Sequence, residues 1–143
     1  MPQAPNRVRD LILLLARIAV GVVFIAHGLQ KFLQWGIGGT TSSFAGMGIP
    51  LPGLAAWVAA LIETLGGLAL LAGAALPLAG LLLAATMVGA LLFVHVGNGL
   101  FVSGGGFEYV LVLAVAALAL GFNGGSFTLD RALSRSDREP TPA

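Results

Sequence analysis

Long apolar stretches, separated by runs of glycine, proline and small polar residues, dominate the chain. A helix needs about 20 mostly apolar residues to cross a bilayer. Four stretches reach or approach that length: residues 11–33, 54–74, 77–97 and 107–122. The fourth is the shortest, so we expect it to begin inside the preceding loop or to lie where the membrane is thin. The pattern predicts an all-α fold, a four-helix transmembrane bundle.

Composition also indicates the connections between these stretches. Residues 34–53 are rich in glycine, proline, threonine and serine, which is typical of a loop. This loop is long for a helix connection, and long loops are more often functional. A tight turn is expected around residues 73–77, because Pro77 suits the first turn of a helix. Residues 97–106 form a second glycine-rich loop.

The overall composition leaves one broad class of protein. Hydrophobic residues make up 57% of the 143 positions, charged residues only 9%, and the formal net charge is +1. The mean hydropathy is +0.97. These values exclude an ordinary soluble domain, a disordered chain and a nucleic-acid binder. Because cysteine is absent, disulfide frameworks, thiolate metal sites and thiol–disulfide exchange by this chain's own residues are excluded as well. An integral membrane protein remains.

The arginines near both termini predict the topology. Arg7 and Arg9 precede the first stretch, and Arg131, Arg135 and Arg138 follow the last. Under the positive-inside rule, an even number of spans places both termini in the cytoplasm. We therefore expect residues 1–10 to be a cytoplasmic segment, 11–130 the membrane domain and 131–143 a disordered cytoplasmic tail. The expected location is the inner (cytoplasmic) membrane, crossed several times.

Ionisable residues inside the apolar stretches are the candidate functional groups. Each costs about 2.5–3.5 kcal/mol on insertion scales, so it should face a partner or water. One face of the first helix carries residues that recur every three or four positions: Arg17, Gly21, Phe24, Gly28 and Lys31, with His27 at its border. In the second stretch Glu63 shares a face with small residues that permit close helix contact: Ala56, Ala59, Ala60, Gly66, Gly67 and Ala74.

Helix rise predicts how these groups meet. Counted at 1.5 Å per residue from Leu29 and Leu54 as the outer helix ends, Arg17 lies about 18 Å and Glu63 about 13 Å deep. We therefore expect the two to pair, directly or through one polar group. Four further groups fall near outer helix ends and should line a pocket above that pair: His27, Lys31, His95 and Glu108. The pocket should open outward. We assign no catalytic residue and no metal ligand.

Simpler interpretations of the same residues remain open. Arg17 and Glu63 could form only a structural clamp that fixes helix register. Lys31 could be an interfacial residue whose ammonium snorkels to water. Glu108 could be stabilised by the helix dipole at the start of its helix.

Bound metals and haem are less well supported. His27 and His95 on different helices could ligate a haem, but the sequence indicates no apolar slot for it. Zinc could take His27, His95, Glu108 and Glu63, but they lack a zinc-site spacing signature. Both histidines are equally compatible with hydrogen bonds inside the bundle. A quinone is compatible with the candidate pocket.

Short segments spread along nearly the whole chain form a specific set by their order and spacing. The segments are Arg17 with Gly21, residues 27–32, Phe44 with residues 48–52, Glu63 with Gly66 and Gly67, Met87 with Ala90, residues 105–109, and Leu129 with Asp130. Together they resemble the DoxX family of small four-helix membrane proteins. One departure is the missing proline: the family often has Gly-Pro-Gly before Ser-Leu-Asp, and residues 121–130 lack it.

The resemblance implies a redox association. Relatives are described as membrane partners of a superoxide dismutase and a thiosulfate sulfurtransferase, and others resemble subunits of thiosulfate:quinone oxidoreductase. We therefore expect a membrane subunit of an assembly linked to redox chemistry or oxidative stress, not a stand-alone enzyme. Its outward pocket would suit a quinone or a small anion such as thiosulfate. The alternatives are a small proton-coupled carrier that uses Glu63 and a non-catalytic anchor for soluble partners. A homo-oligomer is also open.

Overall fold

The computed structural model describes residues 6–137, and this part of the chain is helical, with no β-strand. The α-helices are α1 (Asn6–Leu29), α2 (Gly36–Gly46), α3 (Pro52–Ala72), α4 (Leu76–Ala90), α5 (Glu108–Phe122) and α6 (Leu129–Ser136). Short π-helical turns, Gln30–Gln34 and Leu91–His95, extend α1 and α4. The predicted all-α class is confirmed.

Three of these helical segments are long and apolar enough to cross a membrane: Asn6–Gln34, Pro52–Ala72 and Leu76–Asn98. Helix α5 is equally apolar but has 15 residues, so it is short, as the sequence predicts. Leucines on the outer sides of the helices are exposed, for example Leu61, Leu65 and Leu68 on α3. Such a surface suits lipid, which is as apolar as leucine itself.

Glycines allow α1 and α3 to pack closely in antiparallel directions. Gly21 lies against Gly67 and Leu71, whereas Gly28 lies against Thr64. A Cβ atom added to Gly28 would stand 2.2 Å from the Thr64 hydroxyl oxygen. Any side chain there would force the helices apart, so the glycines set both the spacing and the register of this pair.

The second close pair is α4 with α5. A Cβ atom on Gly80 would lie 2.6 Å from the Ala117 carbonyl oxygen and 2.9 Å from Gly121 Cα. Leu83 of α4 is fully buried and fills the space in front of Gly66, which joins this pair to α3. The core that results combines side chains from all four long helices: Phe24, Leu70, Leu83, Met87, Leu113 and Leu120.

The expectation that residues 34–53 form only a loop is wrong, because α2 occupies Gly36–Gly46 within it. The polar side chains that suggested a loop are satisfied inside the helix. Thr40, Thr41 and Ser42 each donate a hydroxyl hydrogen bond to the carbonyl group four residues earlier. Helix α2 also packs against α3, so tertiary contact overrides its high glycine content.

One end of the bundle holds the start of α1, the α3–α4 turn and residues 123–137; we call it the terminal end, and the opposite end the loop end. At the terminal end the Asp130 carboxylate accepts hydrogen bonds from the backbone N–H groups of Ala75, at 2.7 Å, and Leu76, at 3.1 Å. These contacts cap the start of α4. Pro77 lies in the first turn of α4, as predicted.

The segment expected to be a disordered tail is helical as far as Ser136, since α6 covers Leu129–Ser136. Two contacts explain the order. The Thr128 hydroxyl oxygen accepts from the Arg131 N–H and caps α6, and the Asp130 N–H donates to the Gly73 carbonyl. Residues 138–143 of the expected tail, like 1–5 of the N-terminal segment, lie outside the described residues.

Candidate functional site

A buried ion pair joins α1 to α3. The Lys31 ammonium donates to Glu63 Oε2 at 2.6 Å and to the His27 carbonyl oxygen at 3.3 Å. Lys31 is 8% and Glu63 3% exposed. Lys31 lies in the π-helical turn that follows α1, one helical turn beyond Gly28, where the two helices are closest. The glycine contact therefore brings the ammonium group within reach of α3.

The expected pairing of Arg17 with Glu63 is wrong. Arg17 is fully buried, and its guanidinium donates to the carbonyl oxygens of Leu70, at 3.5 Å, and Phe127. The depth count took Leu29 as the outer end of the helix, but helical structure continues to Gln34. The register set by the glycines consequently places Lys31, not Arg17, beside Glu63.

A cavity of about 410 Å³ lies beside the ion pair. Lys31 and Glu63 are its charged lining residues, and Thr86 is a further polar one. The Thr86 hydroxyl already donates to the Leu82 carbonyl oxygen at 2.9 Å. The other lining residues are apolar or glycine: Phe44, Ile49, Ala55, Val58, Ala59, Ile62, Leu82, Ala85, Gly89, Ala90, Phe93 and Val94.

The cavity opens at the outer surface between α3 and α4. Val58, Leu82 and Phe93 line it and are also exposed at the surface of the bundle. Gly89 lines it as well, and a Cβ atom added there would meet no atom within 4 Å. In a membrane protein this mouth faces lipid. The site therefore has two chemically different parts, a charged inner end and an apolar passage to the bilayer.

Three aromatic side chains lie on α3, on the π-helical turn after α1 or directly after that turn. The Trp35 ring centroid lies 6.0 Å from Lys31 Nζ, at the outer limit of a cation–π contact. Phe32 and Trp57 meet edge to face with ring centroids 5.8 Å apart. Both tryptophan side chains are half exposed.

Two other predicted pocket residues stabilise the loop before α5. The Nδ1–H of His95 donates to the Gly105 carbonyl oxygen at 2.7 Å. The Glu108 carboxylate accepts from the Val102 N–H at 2.8 Å. Neither residue lines the cavity, so the expectation that they share a pocket with Glu63 is wrong.

His27 lies on the exposed outer side of α1. Its Nδ1–H donates to the Val23 carbonyl oxygen at 2.8 Å, and its ring lies 6.1 Å from that of Tyr109. Of the six predicted pocket residues, the structure brings only Lys31 and Glu63 together in the cavity. Within residues 6–137, no three His, Asp or Glu side chains cluster closely enough to hold a metal ion.

Sequence reasoning missed two features of the site and its surroundings. The apolar cavity lining carries no recognisable spacing signal, because alanine and glycine are common on any packed helix face. Asp10 is buried and accepts from the Ser126 N–H at 3.1 Å. Its spacing of seven residues from Arg17 on the same helix face was the available signal for this second buried charge.

The fold and the site define a helical integral membrane protein whose cavity opens towards lipid and ends at a buried ion pair. The chain belongs to the DoxX family: the DoxX family model matches residues 12–96. It is 38% identical over 107 residues to "Putative oxidoreductase CatD" of Bacillus subtilis strain 168, covering 75% of this chain and 76% of that protein. The resemblance inferred from sequence is confirmed.

Two further relatives extend the comparison. "Inner membrane protein YphA" of Escherichia coli K12 is 44% identical over 55 residues, or 38% of each chain. An uncharacterized protein of Haemophilus influenzae strain Rd is 34% identical over 129 residues, covering 87% of this chain and 92% of that protein. No solved structure gives a significant match.

Proposed function

We propose that this DoxX protein is a membrane subunit of an oxidoreductase assembly and binds a quinone-class amphiphile in the cavity beside Lys31 and Glu63. One observation carries the proposal: an apolar cavity open to lipid ends at a buried pair of charged hydrogen-bonding groups. A quinone has the same division, with a polar head and an apolar tail. The name of the Bacillus subtilis relative supports the oxidoreductase setting.

The chemistry of the cavity favours a quinone over thiosulfate. The Lys31 charge is already neutralised by Glu63 at 2.6 Å, so the site offers a small anion no net positive charge. Moving a dianion from water into an apolar lining costs several kcal/mol without such compensation. A neutral quinone carbonyl needs only a hydrogen-bond donor, which the Lys31 ammonium supplies. Reduction of the quinone by two electrons also takes up two protons, and Glu63 would relay a proton from water to the nearer quinone oxygen.

The membrane topology we propose has four spans with both termini in the cytoplasm. Helix α5 would be the fourth span, since its 15 residues cover about 22 Å. Arg7, Arg9, Arg131 and Arg135 belong to segments at the terminal end, and the positive-inside rule favours the cytoplasm for that end. The ion pair then lies in the outer half of the inner membrane.

Electrons for the bound quinone would come from a partner chain. The chain has no cysteine, and we place the redox centre in another subunit. By family resemblance, that partner would be a soluble protein of the superoxide dismutase or sulfurtransferase kind. The role in oxidative stress is part of the same proposal.

A fluorescence titration tests quinone binding. Trp35 lies beside Lys31 and would be quenched by a nearby quinone, and a Trp57→Phe background leaves it as the reporter. In lipid nanodiscs, decylubiquinone should quench Trp35 saturably, and sodium thiosulfate should not compete. A Lys31→Met/Glu63→Leu double variant should bind at least about tenfold more weakly, equivalent to 1.4 kcal/mol. His27→Ala, outside the cavity, should bind like the parent. Unchanged binding by the double variant would contradict the proposal.

The buried ion pair also favours a second function, a small proton-coupled carrier in which Glu63 binds the proton. An intramembrane carboxylate with a nearby cation is the arrangement that proton relays use. A proton flux into proteoliposomes that Glu63→Gln abolishes, without saturable quenching by decylubiquinone, would favour this function over quinone binding.

A further inference from the structure

Helix α6 is amphipathic and its apolar side is not covered by the rest of the described chain. Leu129, Ala132 and Leu133 fall within about 100° of the helix circumference. Leu129 and Leu133 are both exposed, the latter by 57%. A short helix with exposed leucines on one side needs an apolar environment to cover them.

The other side of α6 carries positive charge. Arg131 and Arg135 lie together on the side away from the leucines, and both are exposed. Asp130, the acidic residue of α6, is engaged by the backbone N–H groups at the start of α4. The helix thus presents leucines and two arginines, the combination found in helices that lie in the interface of anionic membranes.

The position of α6 is fixed against the bundle. The Asp130 contacts tie its first turn to the α3–α4 turn, and the Arg131 guanidinium donates to the Ser126 hydroxyl oxygen at 2.9 Å. Phe122 at the end of α5 and Phe127 just before α6 are also exposed. Exposed apolar side chains therefore recur along the chain from the end of α5 to the start of α6.

We infer that α6 lies in the bilayer interface at the terminal end and binds anionic phospholipid headgroups. Leu129 and Leu133 enter the boundary between headgroups and acyl chains, and Arg131 and Arg135 contact the phosphates. Each arginine near an anionic surface contributes about 1 kcal/mol, or about fivefold in the ratio of inserted to released helix. This inference requires only that the bundle spans a membrane, so it is independent of quinone binding.

Single-cysteine labelling tests this placement, because the chain has no cysteine of its own. The full chain with Leu133→Cys carries an environment-sensitive fluorophore on the apolar side, and Ser134→Cys carries it at the adjacent polar position as a matched control. In vesicles of phosphatidylcholine with phosphatidylglycerol, spin-labelled lipids should quench the Leu133 label several-fold more than the Ser134 label. Aqueous iodide should give the opposite order.

The arginine contribution is tested in the same vesicles. Arg135→Gln should reduce lipid quenching of the Leu133 label, and so should replacement of phosphatidylglycerol by phosphatidylcholine. Equal iodide quenching at both positions would overturn the inference, since α6 would then lie in water. Protection of the Leu133 label from iodide without quenching by lipid would also overturn it, because a second protein surface would then cover the helix.

Discussion

The Lys31 ammonium and the Glu63 carboxylate lie 2.6 Å apart inside the protein, although 32 positions separate them in the chain. The contact joins the π-helical turn after α1 to the middle of α3. Both charged groups are buried, so each depends on the opposite charge of the other to offset its lost hydration. The pair is at once a constraint on helix register and the charged inner end of the cavity.

Removing one member of this pair should destabilise the protein more than removing both. Glu63→Leu leaves a buried ammonium without its partner and should cost about 3–5 kcal/mol of unfolding free energy. Lys31→Met/Glu63→Leu removes both charges and should recover most of that loss. Reversible unfolding in detergent micelles measures the unfolding free energies of the parent, the two single variants and the double variant, which together form a double-mutant cycle. A double variant whose loss equals the sum of the single losses would show that the charges do not interact.

The α1–α3 contact should not tolerate a methyl group at Gly28. An added Cβ atom would stand 2.2 Å from Thr64 Oγ1 and 2.6 Å from Thr64 N. Gly28→Ala should therefore lower the unfolding free energy by about 1–3 kcal/mol. Gly38→Ala, where a Cβ meets no atom within 4 Å, is the control and should be neutral or stabilising by up to about 1 kcal/mol. Equal effects of the two substitutions would contradict the close contact.

Arg17 should hold the segment after α5 against the bundle. Its guanidinium donates to the Phe127 carbonyl oxygen from a fully buried position. Arg17→Met removes a charged hydrogen bond of about 1.5–3 kcal/mol, so amide exchange across residues 123–137 should accelerate about tenfold or more. Hydrogen–deuterium exchange by mass spectrometry measures this effect. Arg9→Met, at an exposed arginine of the same helix, should leave the exchange unchanged.

Asp130 should stabilise the start of α4. Its carboxylate oxygens accept from the N–H groups of Ala75 and Leu76, so Asp130→Ala should cost about 0.5–2 kcal/mol of unfolding free energy. Asp137→Ala removes an exposed carboxylate at the other end of α6 and should have little effect. Thermal unfolding followed by circular dichroism compares the two, and a matching loss in both would refute the cap.

Periodicity predicted which residues face inward but not which of them meet. All five members of the stripe on the first helix are buried, because helical spacing fixes a face without reference to any partner. The pairing of Arg17 with Glu63 required the relative shift of two helices. That shift is set by close contacts at Gly21 and Gly28, which no count along one helix can supply.

Local composition misassigned two segments for a related reason. Helix α2 is rich in glycine and threonine, and α6 follows a glycine-containing turn. Helix propensity alone therefore favours irregular structure for both segments. Tertiary contacts with α3 and with the α3–α4 turn order both of them. The cavity could not be predicted from composition either, since it is the space left between mostly apolar residues of different helices.

Filling the cavity without touching its charged end tests the central claim most directly. Gly89 lines the cavity, and a Cβ atom there meets no atom within 4 Å, so Gly89→Leu places a side chain in the space proposed for the quinone. In nanodiscs this variant should keep the parent's unfolding midpoint yet bind decylubiquinone at least about tenfold more weakly. Gly38→Leu, outside the cavity, should bind normally. Parent-like binding by a correctly folded Gly89→Leu protein would contradict the assignment of the cavity as the quinone site.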